Sequence, residues 1–278
     1  MTAPMSLSRR EKPIGVFDSG IGGLTVVRAL RELLPNETIF YLGDTARVPY
    51  GGKSAATVER YSLEITEMLL GEHCKTVVVA CNTASALALA RLESTTPVPI
   101  TGVIRPGAQA AVAATRNGHI GVIGTRATIK SGAYDRALLA LDPAVRVSAR
   151  PCPLFVPLIE EGWLESEITD GVVRQYLTPL VEDGIDTLVL GCTHYPLLRA
   201  AIGRFLGESV RLVDSAQNCA RAVAQLLQDE GLQAEPGADG HLAVALTDPP
   251  DAFLDVALKA LQLEIGTVQL RQVIHPAR

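Results

Sequence analysis

The chain has 278 residues, 47% of them hydrophobic and 20% charged, which is ample for a large core and favours two domains over one. A net charge of −5 and a pI of about 5.6 supply no electrostatic footprint for nucleic acid or an acidic membrane surface, and no apolar run approaches the ~18–20 residues that span a bilayer. Five cysteines, an odd number without a C-x-x-C pair or zinc-like spacing, point to free thiols in a reducing cytoplasm.

The tail 1–12 carries Arg9 and Arg10 with no apolar stretch behind them, unlike a secretory signal. From Pro13 the pattern alternates strand and helix. A strand is expected over 14–17, then a turn-rich loop, Asp18-Ser19-Gly20-Ile21-Gly22-Gly23, and a helix over 24–34 with apolar residues at 24, 26, 27, 30, 33 and 34, stopped by Pro35. A strand over 38–42 opens into the polar loop 43–53, after which Ser54 caps a helix to Gly71. An apolar run over 77–80 then delivers Cys81-Asn82-Thr83, followed by a helix over 84–92, a strand near 100–104 and an Arg105-Pro106-Gly107 turn.

There the pattern restarts. Ile120-Gly121-Val122-Ile123 echoes Ile14-Gly15-Val16-Phe17 at an offset of 106 residues, and Leu188-Val189-Leu190-Gly191-Cys192-Thr193-His194 echoes the first cysteine strand at an offset of 111. A repeat of this length is a duplicated domain rather than a solenoid unit. The second half is expected to contain a helix over 127–141, a strand over 145–149, helices over 155–162 and 167–183, the second cysteine strand, a helix from Pro196, a strand over 210–213 and a helix over 215–228. A β-α-β tail (241–246, 252–261, 268–273) closes the chain. Alternation with short connections implies an α/β fold: two pseudo-symmetric parallel-sheet domains with a cleft between them.

Two nucleotide motifs fail on inspection. G-x-G-x-x-G from Gly20 needs glycine where Thr25 stands, and a phosphate loop ending at Gly52-Lys53-Ser54 needs glycine where Arg47 stands. Cys192 and His194 find no further Cys/His cluster to complete a metal site. No cofactor and no metal are expected. A buried cysteine is often only a small hydrophobe, which suits Cys74, Cys152 and Cys219. Cys81 and Cys192 differ, because each sits at the C-terminal end of a buried strand, where open α/β sheets bind ligands. Two thiols on opposite sides of one carbon can act as base and acid in a single turnover and invert the centre.

At these positions the sequence resembles the cofactor-independent glutamate racemases of bacterial cell-wall synthesis. The resemblance is carried by Phe17–Gly23, by Gly43-Asp44-Thr45-Ala46-Arg47 with Pro49-Tyr50-Gly51, by Ala80-Cys81-Asn82-Thr83-Ala84, by Ile123-Gly124-Thr125 and by Gly191-Cys192-Thr193-His194-Tyr195-Pro196-Leu197-Leu198. It implies a cytoplasmic enzyme that interconverts L- and D-glutamate for peptidoglycan synthesis. Cys81 and Cys192 would be the acid/base pair, the first serving the D-isomer and the second the L-isomer. Asp18 would support Cys81 and His194 would support Cys192. Both of these, with Ser19, Tyr50, Gly51, Asn82, Thr83, Thr125 and Thr193, would hold the substrate, hydroxyls and amides being suited to a zwitterion. Arg105 is read as a surface or interdomain charge without a role. The resemblance also implies that the C-terminal segment returns to the first domain, giving domains at 1–104 plus 216–278 and at 105–215. Glutamate is the expected partner; relatives are commonly dimers, which admits a homodimer. An aspartate or hydantoin racemase would share the paired thiols. A Cys-His thiol hydrolase or amidotransferase would leave Cys81 idle, and a two-lobed amino-acid-binding protein would explain the cleft but not the thiols.

Overall fold

The computed structural model describes residues 8–249 and 252–273; the first seven residues of the N-terminal tail and the last five of the chain lie outside the described residues. The first half runs β1 (Ile14–Asp18), α1 (Leu24–Leu33), β2 (Ile39–Gly43), α2 (Ala55–Gly71), β3 (Thr76–Val79), α3 (Asn82–Leu87), α4 (Leu89–Thr95), β4 (Ile100–Gly102) and α5 (Ile104–Ala114). The second runs β5 (His119–Gly124), α6 (Arg126–Ser131), α7 (Ala133–Leu141), β6 (Arg146–Pro151), α8 (Phe155–Glu160), α9 (Glu167–Glu182), β7 (Thr187–Gly191), α10 (Arg199–Leu206), β8 (Arg211–Asp214) and α11 (Ser215–Asp229). The chain continues through β9 (Leu242–Leu246), α12 (Ala252–Leu261) and β10 (Gln269–Leu270).

Two parallel sheets result, ordered β10-β9-β2-β1-β3-β4 and β6-β5-β7-β8. The block β2-β1-β3-β4 repeats as β6-β5-β7-β8, so the duplication read from two short motifs extends to strand order. In each sheet the chain winds one way from the first strand and the other way from the third. The switch points therefore fall between β1 and β3 and between β5 and β7, where a crevice opens beyond the strand ends. The β-branched runs of β3 and β7 are wholly buried, which suits strands covered on both faces and contributes about 1.5–3 kcal/mol per large side chain. One core cluster joins the halves, running from β1 and α1 through α11 and α12 to β7, Tyr195 and Leu198.

Two local expectations are corrected. The Arg105-Pro106-Gly107 turn is the first turn of α5, and the preceding strand ends at Gly102. Proline is tolerated there because the first-turn N–H groups have no intrahelical acceptor; Arg105 is exposed on that helix. The helix expected over 127–141 breaks at Gly132, whose φ of +63° caps α6 and starts α7.

Candidate active site

Both cysteines stand just past the C-terminal end of a buried strand. β3 ends at Val79, and two residues later Cys81 caps α3, its Sγ accepting from the Ala84 N–H at 3.5 Å. β7 ends at Gly191, and Cys192 follows directly. The two sulfurs line one small cavity of about 30 Å3 together with Ser19, Tyr50, Gly51, Asn82, Thr83, Thr125, Thr193 and His194, and Val48, Pro49 and Val156 complete its wall. Every site residue read from the sequence is thus at this cavity except Asp18, which lies behind it, fully buried.

The halves are stitched together around the cavity. Thr83 Oγ1 lies 3.0 Å from Thr125 Oγ1 and 3.1 Å from Thr128 Oγ1, and Thr193 donates to Asp18 Oδ1 at 3.3 Å. The glycine loop that failed as a nucleotide motif serves close approach instead. A Cβ on Gly22 would stand 2.5 Å from His194 Nδ1 and 2.7 Å from Thr193 Oγ1, and one on Gly51 would stand 2.6 Å from Thr125 Cβ.

The two thiols have unlike partners. The Cys81 thiol donates to Ser19 Oγ at 3.6 Å, and burial together with the charge of Asp18 pushes it up to about 12. Asp18 itself is raised by burial, against the opposing pull of His194, the Gly20 and Gly23 backbone and Thr193. Cys192 Sγ lies 3.9 Å from His194 Nδ1, and His194 Nε2 lies 3.2 Å from Glu160 Oε1. Burial works against the charged imidazole, but the hydrogen bonds to Cys192 and Glu160 and the charge of Asp18 outweigh it and carry His194 up to about 10. One thiol therefore faces a carboxylate and the other a cation.

A family profile described as Asp/Glu/Hydantoin racemase matches residues 14–223. The chain belongs to this family. It is 51% identical over 257 residues to a glutamate racemase of Geobacter metallireducens, covering 92% of this chain and 95% of that relative. Identity to a glutamate racemase of Neisseria gonorrhoeae is 55% over 224 residues, 80% and 83% of the two chains. Among solved structures, glutamate racemase isoform RacE1 of Bacillus anthracis matches with a TM-score of 0.91 at 39% identity, covering 95% of this chain and 98% of that one. The glutamate racemase of Francisella tularensis in complex with D-glutamate matches at 0.89 and 36%, with the same coverage.

In this racemase-family protein two contributors escaped the sequence reading. Glu160, at the end of α8, is the carboxylate behind His194; its neighbour Glu161 offers the same chemistry, and only the docking of α8 separates them. Asp44 accepts hydrogen bonds from the Tyr50 hydroxyl, from Arg47 Nε at 2.7 Å and from Thr247 at 3.0 Å. With its hydroxyl so occupied and burial holding it protonated, Tyr50 lines the cavity as a wall rather than a proton donor. A larger hollow of about 540 Å3 lies between α1, the start of α11 and the end of α12. Its arginines, Arg28 and Arg199, are paired with Glu32 and Asp214, and it contains no thiol. Both thiols that the sequence singled out line the smaller cavity. Among the described residues no group of three His, Cys, Asp or Glu side chains is placed to hold a metal ion, and no helix is long and apolar enough to cross a membrane.

Proposed function

We propose that the protein interconverts L- and D-glutamate by transferring the α-proton between two thiols, and that it supplies D-glutamate for peptidoglycan in the cytoplasm. The observation that carries this reading is the shared cavity of Cys81 and Cys192, reached from opposite sheets with opposite electrostatic partners. Five unpaired cysteines fit a reducing compartment.

At rest Cys81 is a thiol, since about 12 is far above neutral pH, and His194 is an imidazolium. L-glutamate then meets a ready acid at Cys81. The Cys192 sulfur takes the α-proton beside the positive charge of His194, and Cys81 gives its proton to the opposite face. The turnover leaves Cys81 deprotonated and Cys192 protonated; negative charge at Cys81 is disfavoured beside Asp18, so the pair returns to rest as Cys81 takes a proton from solvent and Cys192 releases one to it. The D-isomer runs the same path backwards. Hydroxyls of Ser19, Thr83, Thr125 and Thr193, the Asn82 amide and the Gly51 backbone hold the amino and carboxylate groups. A cavity with room for about two waters is smaller than an amino acid. Entry therefore parts the halves at Gly51–Thr125 and Thr83–Thr125. The pairing of β9 and β10 into the first sheet supports domains of 1–104 plus 216–278 and 105–215.

Incubation with L-glutamate in heavy water without added cofactor tests the reading. Loss of optical rotation with deuterium at the α-carbon is expected, and Cys81→Ser or Cys192→Ser should each lower racemisation by about 10²–10⁴. Amide or ester hydrolysis without exchange, or full activity in either variant, would refute the two-thiol mechanism.

A further inference from the structure

One hydrogen bond across the cleft belongs to a residue outside the cavity wall. Tyr134, on α7 of the second half, is 2% exposed, and its hydroxyl donates to Asn82 Oδ1 on α3 of the first half at 2.7 Å. Its ring is fitted closely into the second half. A Cβ on Gly191, the residue before Cys192, would stand 3.0 Å from Tyr134 Cε2, and one on Gly107 of α5 would stand 3.4 Å from the hydroxyl oxygen. Burial raises the phenol well above its ordinary range against the opposing pull of a hydrogen bond with Ser215, so it remains protonated at any working pH.

The far end of the same amide is the unexplained feature. Asn82 is 2% exposed and lines the cavity, yet its Nδ2 is buried without a hydrogen-bond partner among the described residues. Buried amide nitrogens are satisfied in almost all proteins, so an orphan in a binding cavity marks a place for an acceptor. The two ends of an asparagine amide differ in kind. With Oδ1 tied to Tyr134, Nδ2 is the end left for the cavity. A half-turn of the amide would aim a carbonyl oxygen at a substrate carboxylate and repel it.

We infer that Tyr134 is a positioning residue: reaching across the interface between the halves, it fixes the Asn82 amide so that Nδ2 donates to a carboxylate oxygen of the substrate. This rests on the reading of the cavity as a glutamate site. Because the donor and the amide stand on different halves, the amide is locked only when the halves are docked, which couples closure to carboxylate recognition.

Steady-state racemisation of L- and D-glutamate by wild type, Tyr134→Phe, Asn82→Ala and the double variant tests it, with thermal unfolding of each. Tyr134→Phe keeps the ring and is expected to raise KM about tenfold for both isomers, with kcat changed less than about twofold. Asn82→Ala raises KM at least as much, and adding Tyr134→Phe to it changes KM by less than about twofold, since Tyr134 acts only through the amide. A structural role alone would instead multiply the two effects. An unchanged KM in Tyr134→Phe, or a multiplied one in the double variant, overturns the inference. Should Tyr134→Phe fail to fold, Asn82→Asp decides. It keeps the acceptor for Tyr134 but turns an oxygen toward the carboxylate, and it must bind glutamate worse than Asn82→Ala; equal or better binding overturns the inference. Failure of wild type to racemise glutamate overturns the proposed reaction and this inference with it, whereas an active wild type with an indifferent Tyr134→Phe overturns the inference alone.

Discussion

Replacing Glu160 by glutamine probes how the charge on His194 is maintained. Burial disfavours the imidazolium, yet it persists to about pH 10 through Cys192, Glu160 and Asp18. A hydrogen bond to a charged partner contributes about 1.5–3 kcal/mol, which corresponds to about one to two pH units at 1.36 kcal/mol each. The Glu160 side chain is 35% exposed against 5% for His194, so water screens its field and the lower figure applies. Glu160→Gln should therefore keep the 3.2 Å contact but move the alkaline limb of the pH–rate profile from near 10 down by about one pH unit. Initial rates of racemisation followed by circular dichroism from about pH 6 to 11 read this directly. The same shift governs stability. A histidine raised from 6.5 to about 10 contributes stabilisation that is full below 6.5 and lost as pH rises through 10, and in the variant that loss begins earlier. An alkaline limb that does not move, or moves upward, would refute the assignment of Glu160 as the support of His194.

Two further outcomes follow from packing and hydrogen bonding. Gly51→Ala places a Cβ 2.6 Å from Thr125 Cβ across the cleft; overpacking of about 1–3 kcal/mol should raise KM about 5–150-fold without changing the thermal midpoint by more than about 2 °C, and an unaltered KM would mean that the halves need not close there. Asp186 binds Thr115 Oγ1 and the Arg116 and Asn117 N–H groups at 2.6–2.7 Å, and although burial opposes its charge these bonds hold it down at about 2. Its folded value is depressed, so its contribution of about 2 kcal/mol is present above 3.8 and lost as pH falls through 2. Asp186→Asn should lower the midpoint at neutral pH by about 4–8 °C, a difference that shrinks in acid, and a constant difference down to pH 2 would refute the linkage.

The buried strands were legible because a short β-branched run bounded by polar residues has few other uses. The halves were legible because two such runs recurred at nearly one offset. Local punctuation misled at Arg105-Pro106-Gly107, where Pro and Gly read as a turn but Pro106 occupies the first turn of a helix. The glycine loop fails as a dinucleotide motif and is legible only through the family resemblance, although what Gly22 permits is the approach of His194 from the other half. That contact spans more than 170 residues of chain and leaves no local trace. Glu160 and Tyr134 are hidden for the same reason: each matters through a partner on another element, His194 for one and Asn82 for the other. Tyr50 shows the converse, since its place in the loop was readable but the occupation of its hydroxyl by Asp44 was not.

The unlike partners of the two thiols are constrained by the substrate's own thermodynamics. Enantiomers in water are equal in free energy, so the equilibrium constant of their interconversion is one, and kcat/KM must be the same in both directions for wild type and every variant. Asymmetry in the site can therefore appear only as paired differences in kcat and KM. The duplicated frame places the sulfurs alike, each at a switch point beyond the third strand of its half. The residues beside them have diverged. Asp18 at the end of β1 corresponds to Gly124 at the end of β5, and His194 corresponds to Thr83. In the proposed two-thiol reaction the carboxylate near Cys81 favours its protonated form and the cation near Cys192 favours proton removal there, which poises the site for one isomer. Glu160→Gln weakens that poise. It must lower kcat/KM equally for L- and D-glutamate, while the ratio of the two KM values shifts as the resting protonation pattern becomes more even. Unequal losses of kcat/KM at equilibrium purity of substrate would be incompatible with a simple racemisation, whatever the roles of the two thiols.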